Sequence, residues 1–195
     1  NTMFSSQLLG EHALTEKQIK LNWGLGYNRL TRNIPSYRRM LYLKNFEAAE
    51  TDPYVAVVPF GNPSPNFAGN FYAEQAEDFY TGRVDVAVPY FLGSKKGTFK
   101  LGGMSEIKDR EFDARLFGVI SSFQRPQELY SLPIGEIFDP KNIGDNGFRM
   151  KETTDRSDSY DAGSTLVAGY GMVEQAITNK LRFIGGARVE SFQQE

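Results

Sequence analysis

Apolar and polar positions alternate along most of the chain with a period of two, the period of a strand with one face in water and one face out of it. In "KQIKLNWGLGYNRLT", Ile19, Leu21, Trp23, Leu25 and Tyr27 share one parity, and Lys20, Asn22, Gly24, Gly26 and Asn28 share the other. At helical spacing these apolar residues would scatter around the axis, so the segment is predicted to be a strand. The preceding "MFSSQLLGEHAL" alternates less cleanly, with Phe4, Leu8 and Leu14 on one side, and "TEK" at 15–17 reads as a tight turn. "FYTGRVDVAVPYF" places Tyr80, Val84, Val86, Val88 and Tyr90 on one face, with Arg83, Asp85 and Ala87 on the other. Pro89 falls near its end, where a missing ladder donor is tolerable. After the polar turn "LGSKKG", Phe99, Leu101 and Ile107 oppose Lys100, Glu106, Lys108 and Arg110.

The last pair of strands lies in "SYDAGSTLVAGYGMVEQAITNKLRFIGGARVE". Its first half is read with Tyr160, Ala162, Leu166, Ala168, Tyr170 and Met172 as the apolar row. Asp161, Gly163, Thr165, Gly169 and Gly171 form the other row, which Val167 and Val173 interrupt. Past the "ITNK" turn, Leu181, Phe183, Ala187 and Val189 oppose Arg182, Arg188 and Glu190.

The expected fold is therefore all-β, an antiparallel meander of about six long strands in three hairpins. The hairpin turns are short, whereas the connections at about 32–72 and about 122–157 exceed the ordinary loop limit of roughly 15 residues. Short turns at one end and long loops at the other is the layout of a transmembrane β-barrel, with periplasmic turns and extracellular loops. A soluble sandwich is the competing reading, but sandwiches rarely segregate connection lengths so completely. Trp23, Tyr27, Tyr80 and Tyr90 on the apolar parity also fit the aromatic belts of a membrane interface.

Composition agrees with this picture. Among 195 residues, 13% are aromatic, including ten Tyr and fifteen Phe, while the mean hydropathy stays at −0.44. A net charge of −2 gives no basic field for nucleic acid, and the absence of cysteine removes disulfides and thiolate metal sites. No run of eighteen apolar residues occurs, which excludes a spanning helix but not spanning strands of about ten alternating residues. The opening "NTMFSSQLLGEHAL" does not read as a signal peptide.

Four stretches carry a family resemblance: "LLGEHALTEKQIKLNWGLGYNRLTRNIPSYRR", "GRVDVAVPYF" with "GTFKLGGMSEIKDREFDARLF", "GEIFDPKNIGDNGFRMKETTDRSDSYDAG", and "AGYGMVEQAITNKLRFIGGARVE". In that order they resemble the barrel portion of TonB-dependent outer-membrane receptors, in particular the branch common in Bacteroidetes. Position 36 departs from the pattern, with Ser where that family commonly has Asp. The resemblance implies location in the cell outer membrane and contact with its lipid and lipopolysaccharide. It also implies a separate plug domain, coupling through the plug to the TonB energy complex, and a surface lipoprotein partner. Residues 1–195 then form a partial barrel of a receptor with about 22 strands. The implied function is import of a nutrient, an iron chelate, glycan or peptide, with no enzymatic activity and no cofactor. A passive porin or structural surface protein is the alternative.

Candidate chemistry is sparse. His12 is the only histidine and is read as an interfacial strand residue. "DREFDAR" offers Asp109, Glu111 and Asp113, which are read as a solvated charged row rather than a catalytic pair. "DPKNIGDNGF" resembles a calcium loop faintly but lacks the spacing and terminal Glu of a helix–loop–helix site, so no metal site is assigned. Ligand contacts are expected on the long loops, from Tyr37, Arg38, Arg39 and Tyr42 in the first and Phe138, Asn142, Asp145 and Phe148 in the second. Arg182, Arg188 and Glu190 are expected to face the lumen or the plug, and the glycines beside them to admit plug backbone.

Overall fold

The computed structural model describes residues 1–14, 18–122 and 127–195, so the turn expected at 15–17 lies outside the described residues. The chain is 68% strand and 6% helix, and the fold is all-β. Its strands are β1 (Thr2–Leu14), β2 (Ile19–Met40), β3 (Tyr42–Leu43), β4 (Val55–Ala56), β5 (Ala68–Leu92), β6 (Lys95–Ser121), β7 (Phe148–Glu152), β8 (Tyr160–Ala176) and β9 (Arg182–Gln194). The main sheet runs β1-β2-β5-β6-β8-β9, with β7 added to β6, and β3 pairs β4 apart from it. That order is the expected meander. The sheet is open, not closed into a barrel, with β1 and β9 as its edges.

The backbone divides into two compact units, Asn1–Thr31, Gln75–Glu111 and Asp161–Glu195 in the first, Arg32–Glu74 and Phe112–Tyr160 in the second. The connections are more structured than their sequence suggested. β2 continues to Met40, β5 already begins at Ala68, and the second connection holds β7 and three short 3-10 turns. Alternation fades there because one side of these strand ends is covered by a core.

In the first unit, register is continuous. Leu8 pairs Leu25, Gly10 pairs Trp23, and His12 pairs Leu21 across β1 and β2. Across β8 and β9, Tyr170 pairs Arg188, Ala168 pairs Glu190 and Ala176 pairs Arg182. Directly opposed residues of an antiparallel pair share a face. Tyr170, Ala168 and Met172 therefore lie with Arg188 and Glu190, not on the apolar side where the parity of β8 alone had put them. Val167 and Val173 pair Ser191 and Gly185 and lie with Phe183 and Val189. What looked like interruptions are the apolar row.

The second unit has its own core, built from Ala56, Val58, Ala68, Val119, Tyr130, Ile137 and Phe148. Ile137 and Phe148 are its two largest fully buried side chains. Tyr130 and Phe138 each meet the Phe148 ring edge-on, with centroids 5.6 and 5.4 Å away. Such aromatic pairs add about 0.5–1.5 kcal/mol beyond the area they bury.

Candidate functional site

The first unit presents a sheet with two unlike faces. Cross-strand contacts carry each face from strand to strand. On the apolar face, Tyr27 stacks on Tyr80 with centroids 5.1 Å apart, Leu25 lies beside Gly82, Tyr90 lies over Gly97, and Leu101 lies beside Gly171. The row thus runs from Leu8 and Trp23 through Val84, Val86 and Leu101 to Val167 and Val189. Among the described residues no part of the unit covers it: Leu25 is 56% exposed, Leu101 50%, Val167 52% and Val189 77%. An apolar patch of this extent on a soluble monomer marks an interaction surface. From Ile19 to Tyr27 the strand advances about 26 Å, an apolar band about 20 Å tall at the ~40° tilt of a barrel strand. Trp23 lies mid-band, while Tyr27 with Tyr80 and Tyr90 mark its two ends. Toward Tyr27 the face then turns charged, with Arg29, Asp78, Asp109, Glu111 and Asp161 lining one cleft. Asp109 and Glu111 belong to that rim.

The opposite face carries a polar lattice, with Leu9, Ile184 and Phe192 exposed on it in the outer strands. The Tyr170 hydroxyl donates to Asp85 Oδ1 at 2.6 Å, Arg110 Nε to Glu77 Oε2 at 2.6 Å, and Arg182 pairs with Glu174 at 2.7 Å. Arg188 pairs with Glu190 and also reaches Met104 Sδ. Arg182, Arg188 and Glu190 therefore all belong to this face. One glycine of this face has a local role. A Cβ on Gly102 would sit 2.2 Å from the Tyr170 ring and 2.4 Å from Asp85, so Gly102 is what lets Tyr170 cross β6 to reach β5.

The second unit places the expected loop residues in three environments. Tyr37 and Arg39 line one cavity of about 400 Å³, together with Arg32, Ile34, Pro65, Asn66, Gly69, Asn70, Phe71 and Leu116. Arg38 points elsewhere, as neighbours on a strand must, into a cavity of about 180 Å³ with Phe138, Ile143 and Met150. The remainder hold the fold. Tyr42 donates to the Leu132 carbonyl at 2.8 Å, and burial pushes its phenol pKa up. Asn142 Nδ2 bridges the carbonyls of Glu136 and Ile137 at 3.1 and 3.2 Å. Phe148 has no exposed surface and Asp145 pairs with Arg149. Asp139 caps the turn at Pro140–Asn142 through the Lys141 N–H, so the calcium-like segment spends its polar groups internally.

Arg32, Asn66, Asn70 and Phe71 were missed by the sequence reading. Ile34 and Tyr37 have opposite parities yet line one cavity, and between them stands Pro35, which has no N–H to give a ladder. That proline was the available signal. Elsewhere in this unit Arg115 grips Glu152 through two bonds of 2.9 Å. The Arg115 hydrogen bond, then the Thr154 hydroxyl, hold the Glu152 carboxyl below its usual range.

Among the described residues, no group of three or more His, Asp or Glu is placed to hold a metal ion. No helix there is long and apolar enough to cross a membrane, which bears on helices alone. No protein-family model matches the chain, and no curated protein or solved structure matches it significantly.

Proposed function

We propose that this chain is a segment of a transmembrane β-barrel in the outer membrane, belonging to a nutrient receptor of the TonB-dependent kind that its four sequence stretches resemble. The observation that carries the reading is the two-faced sheet of the first unit. One face is apolar across six strands and uncovered, and the other is a hydrated lattice of ion pairs and hydroxyls. A sheet with lipid on one side and a wet lumen on the other needs this division, and a soluble sandwich would bury the apolar side against a second layer. The hairpin turns at 93–94 and 177–181 then lie at the periplasmic rim, and the chain leaves the unit at Thr31, Gln75, Glu111 and Asp161 toward the outside. The lumenal face would meet the plug domain, through which the TonB complex energises import of an iron chelate, glycan or peptide.

Arginine placed on either face tests the assignment. Leu25→Arg, on the apolar face, should weaken membrane assembly by about 2–4 kcal/mol, the cost of arginine near a bilayer midplane. Asn22→Arg, on the other face and opposite Glu11, should assemble normally. Equal assembly of both variants in outer-membrane fractions would remove the lipid-facing assignment.

A further inference from the structure

The polar face of the first unit has a hollow near its short turns, a cavity of about 550 Å³ lined in part by Lys20, Lys96 and Lys100. Sheet register brings the lysines together. Gly24 lies beside Arg83 and Gly26 beside Thr81, which sets Lys20 opposite Ala87 across β2 and β5. Gly97 lies beside Tyr90 and Gly102 beside Asp85, which sets Lys100 opposite Ala87 across β5 and β6. Lys20 and Lys100 therefore flank Ala87 in one row. Their backbones are two strand spacings apart, about 10 Å, within the joint reach of two lysine side chains. Lys96 stands four residues from Lys100 on the same face, about 13 Å along β6. Between the lysines the floor is small, made by Ala13, Ala87, Pro89 and Thr98.

Among the described residues, Lys20 and Lys100 have no hydrogen-bond or ion-pair partner, and Lys96 has only the Gln18 side-chain oxygen at 3.4 Å. Glu174 also lines the hollow, but Arg182 holds it at 2.7 Å. In the adjoining row Asp85 accepts the Tyr170 hydroxyl, and Glu11 stands on edge strand β1 opposite Asn22. Arg83, four residues along β5 from Ala87 and so on the same face, adds a fourth cation with no carboxylate partner among the described residues. Farther along this face cations are matched, Arg188 by Glu190 and both Lys108 and Arg110 by Glu77. Positive charge is in excess at the turn end.

We propose that this hollow docks an acidic polypeptide segment in extended conformation, its carboxylates set along one side and taken by Lys20 with Lys100 and by Lys96. The inference rests on the reading that the polar face meets a further domain, and it gives that contact a sign of charge. Same-side residues of an extended segment recur about every 6.6 Å, so carboxylates two or four residues apart match cations about 10–13 Å apart. The oxygens of one compact phosphate do not span that distance. Ammonium groups on flexible stems act as point charges, so sign and spacing are recognised rather than a planar shape.

Fluorescence anisotropy tests this with the 195-residue chain in a zwitterionic detergent at low ionic strength, the probe being a labelled dodecapeptide of alternating Asp and Ser. The chain should bind it at least about tenfold more tightly than an Asn–Ser twin, and added salt should weaken it. Lys20→Gln with Lys100→Gln should cost about fivefold, the scale of two exposed ion pairs, while Lys20→Arg with Lys100→Arg should retain affinity. Ala87→Trp should cost a similar factor by filling the hollow, and Lys151→Gln, in the second unit, should change nothing. Equal binding of the Asn–Ser twin, full binding by the double glutamine variant, or an equal loss from Lys151→Gln overturns the proposal. Displacement by pyrophosphate at or below the concentration at which unlabelled peptide displaces the probe overturns the polypeptide class. If the double variant loses its strand circular dichroism, the two single glutamine variants replace it, and full binding by both counts against the assignment. Failure here while Leu25→Arg still blocks membrane assembly removes the docking site alone. Peptide binding alongside normal assembly of Leu25→Arg removes the lipid-facing assignment alone.

Discussion

At the scale of single residues, three residues on the apolar face depend on one another. The Trp23 indole lies flat over Gly10, where a Cβ would come within 2.2 Å of the ring, and its Nε1 donates to His12 Nε2 at 3.0 Å. All three share a face through the β1–β2 register. The lone histidine thus serves as an acceptor that lets an indole N–H sit among apolar neighbours. His12→Leu leaves that donor unpaired. In lipid this should cost about 1–3 kcal/mol, the penalty for a polar group deprived of its partner where no water can replace it. Urea unfolding from phosphatidylcholine vesicles measures it. A loss below about 0.5 kcal/mol would mean water reaches the indole, since an exposed hydrogen bond exchanges nearly evenly with solvent.

Elements raise a different question, which face each strand shows. For β2, β5 and β6, parity alone is sufficient, because one row is polar or glycine and the other apolar. β8 carries apolar residues on both rows, and its Tyr170 and Met172 are amphipathic enough to suit either environment. Only pairing resolves it. Tyr170 sits opposite Arg188 and bonds Asp85, and Met172 sits opposite Gly186 on that same face. Since the chain has no native cysteine, single-cysteine variants report each face cleanly. Met172→Cys should react with a water-soluble thiol reagent, and Val167→Cys with a lipid-soluble one. The reverse pattern would restore the assignment that parity suggests and shift the β8–β9 pairing by one residue.

At the scale of the whole molecule, the path of the main sheet ends on two edges, β1 and β9. Each presents a row of backbone donors and acceptors with no neighbouring strand. Water satisfies such a row, and hydrocarbon does not, which is why spanning sheets close. The chain alone, refolded into lipid vesicles, should therefore pair edges between copies and run as oligomers on unboiled gels. A stable membrane-inserted monomer would show that its open edges meet water, and would count against a place inside a larger barrel. The separate core around Phe148 makes the second unit less sensitive to these edges, because its stability rests on packing among its own connections.

The amino-acid sequence by itself determined the all-β class, the pairing of β1 with β2, β5 with β6 and β8 with β9, the short turns at 93–94 and 177–181, and the faces of the strands whose rows differ in polarity. Period-two alternation is a local record of two different surroundings, so it can be read without knowing any partner strand. Tertiary structure alone decided the rest. It set the face of β8, the continuation of β2 through "RNIPSYRRM", the burial of Asn142 and Phe148, and the cavity that Tyr37 and Arg39 line with Asn66 and Phe71. In each of these places the environment comes from a segment distant in sequence: β9 and β5 for Tyr170, the second connection's own core for Phe148, Asn66 and Phe71 for the cleft. A residue's neighbours within the strand cannot encode a surface that another part of the chain brings to it.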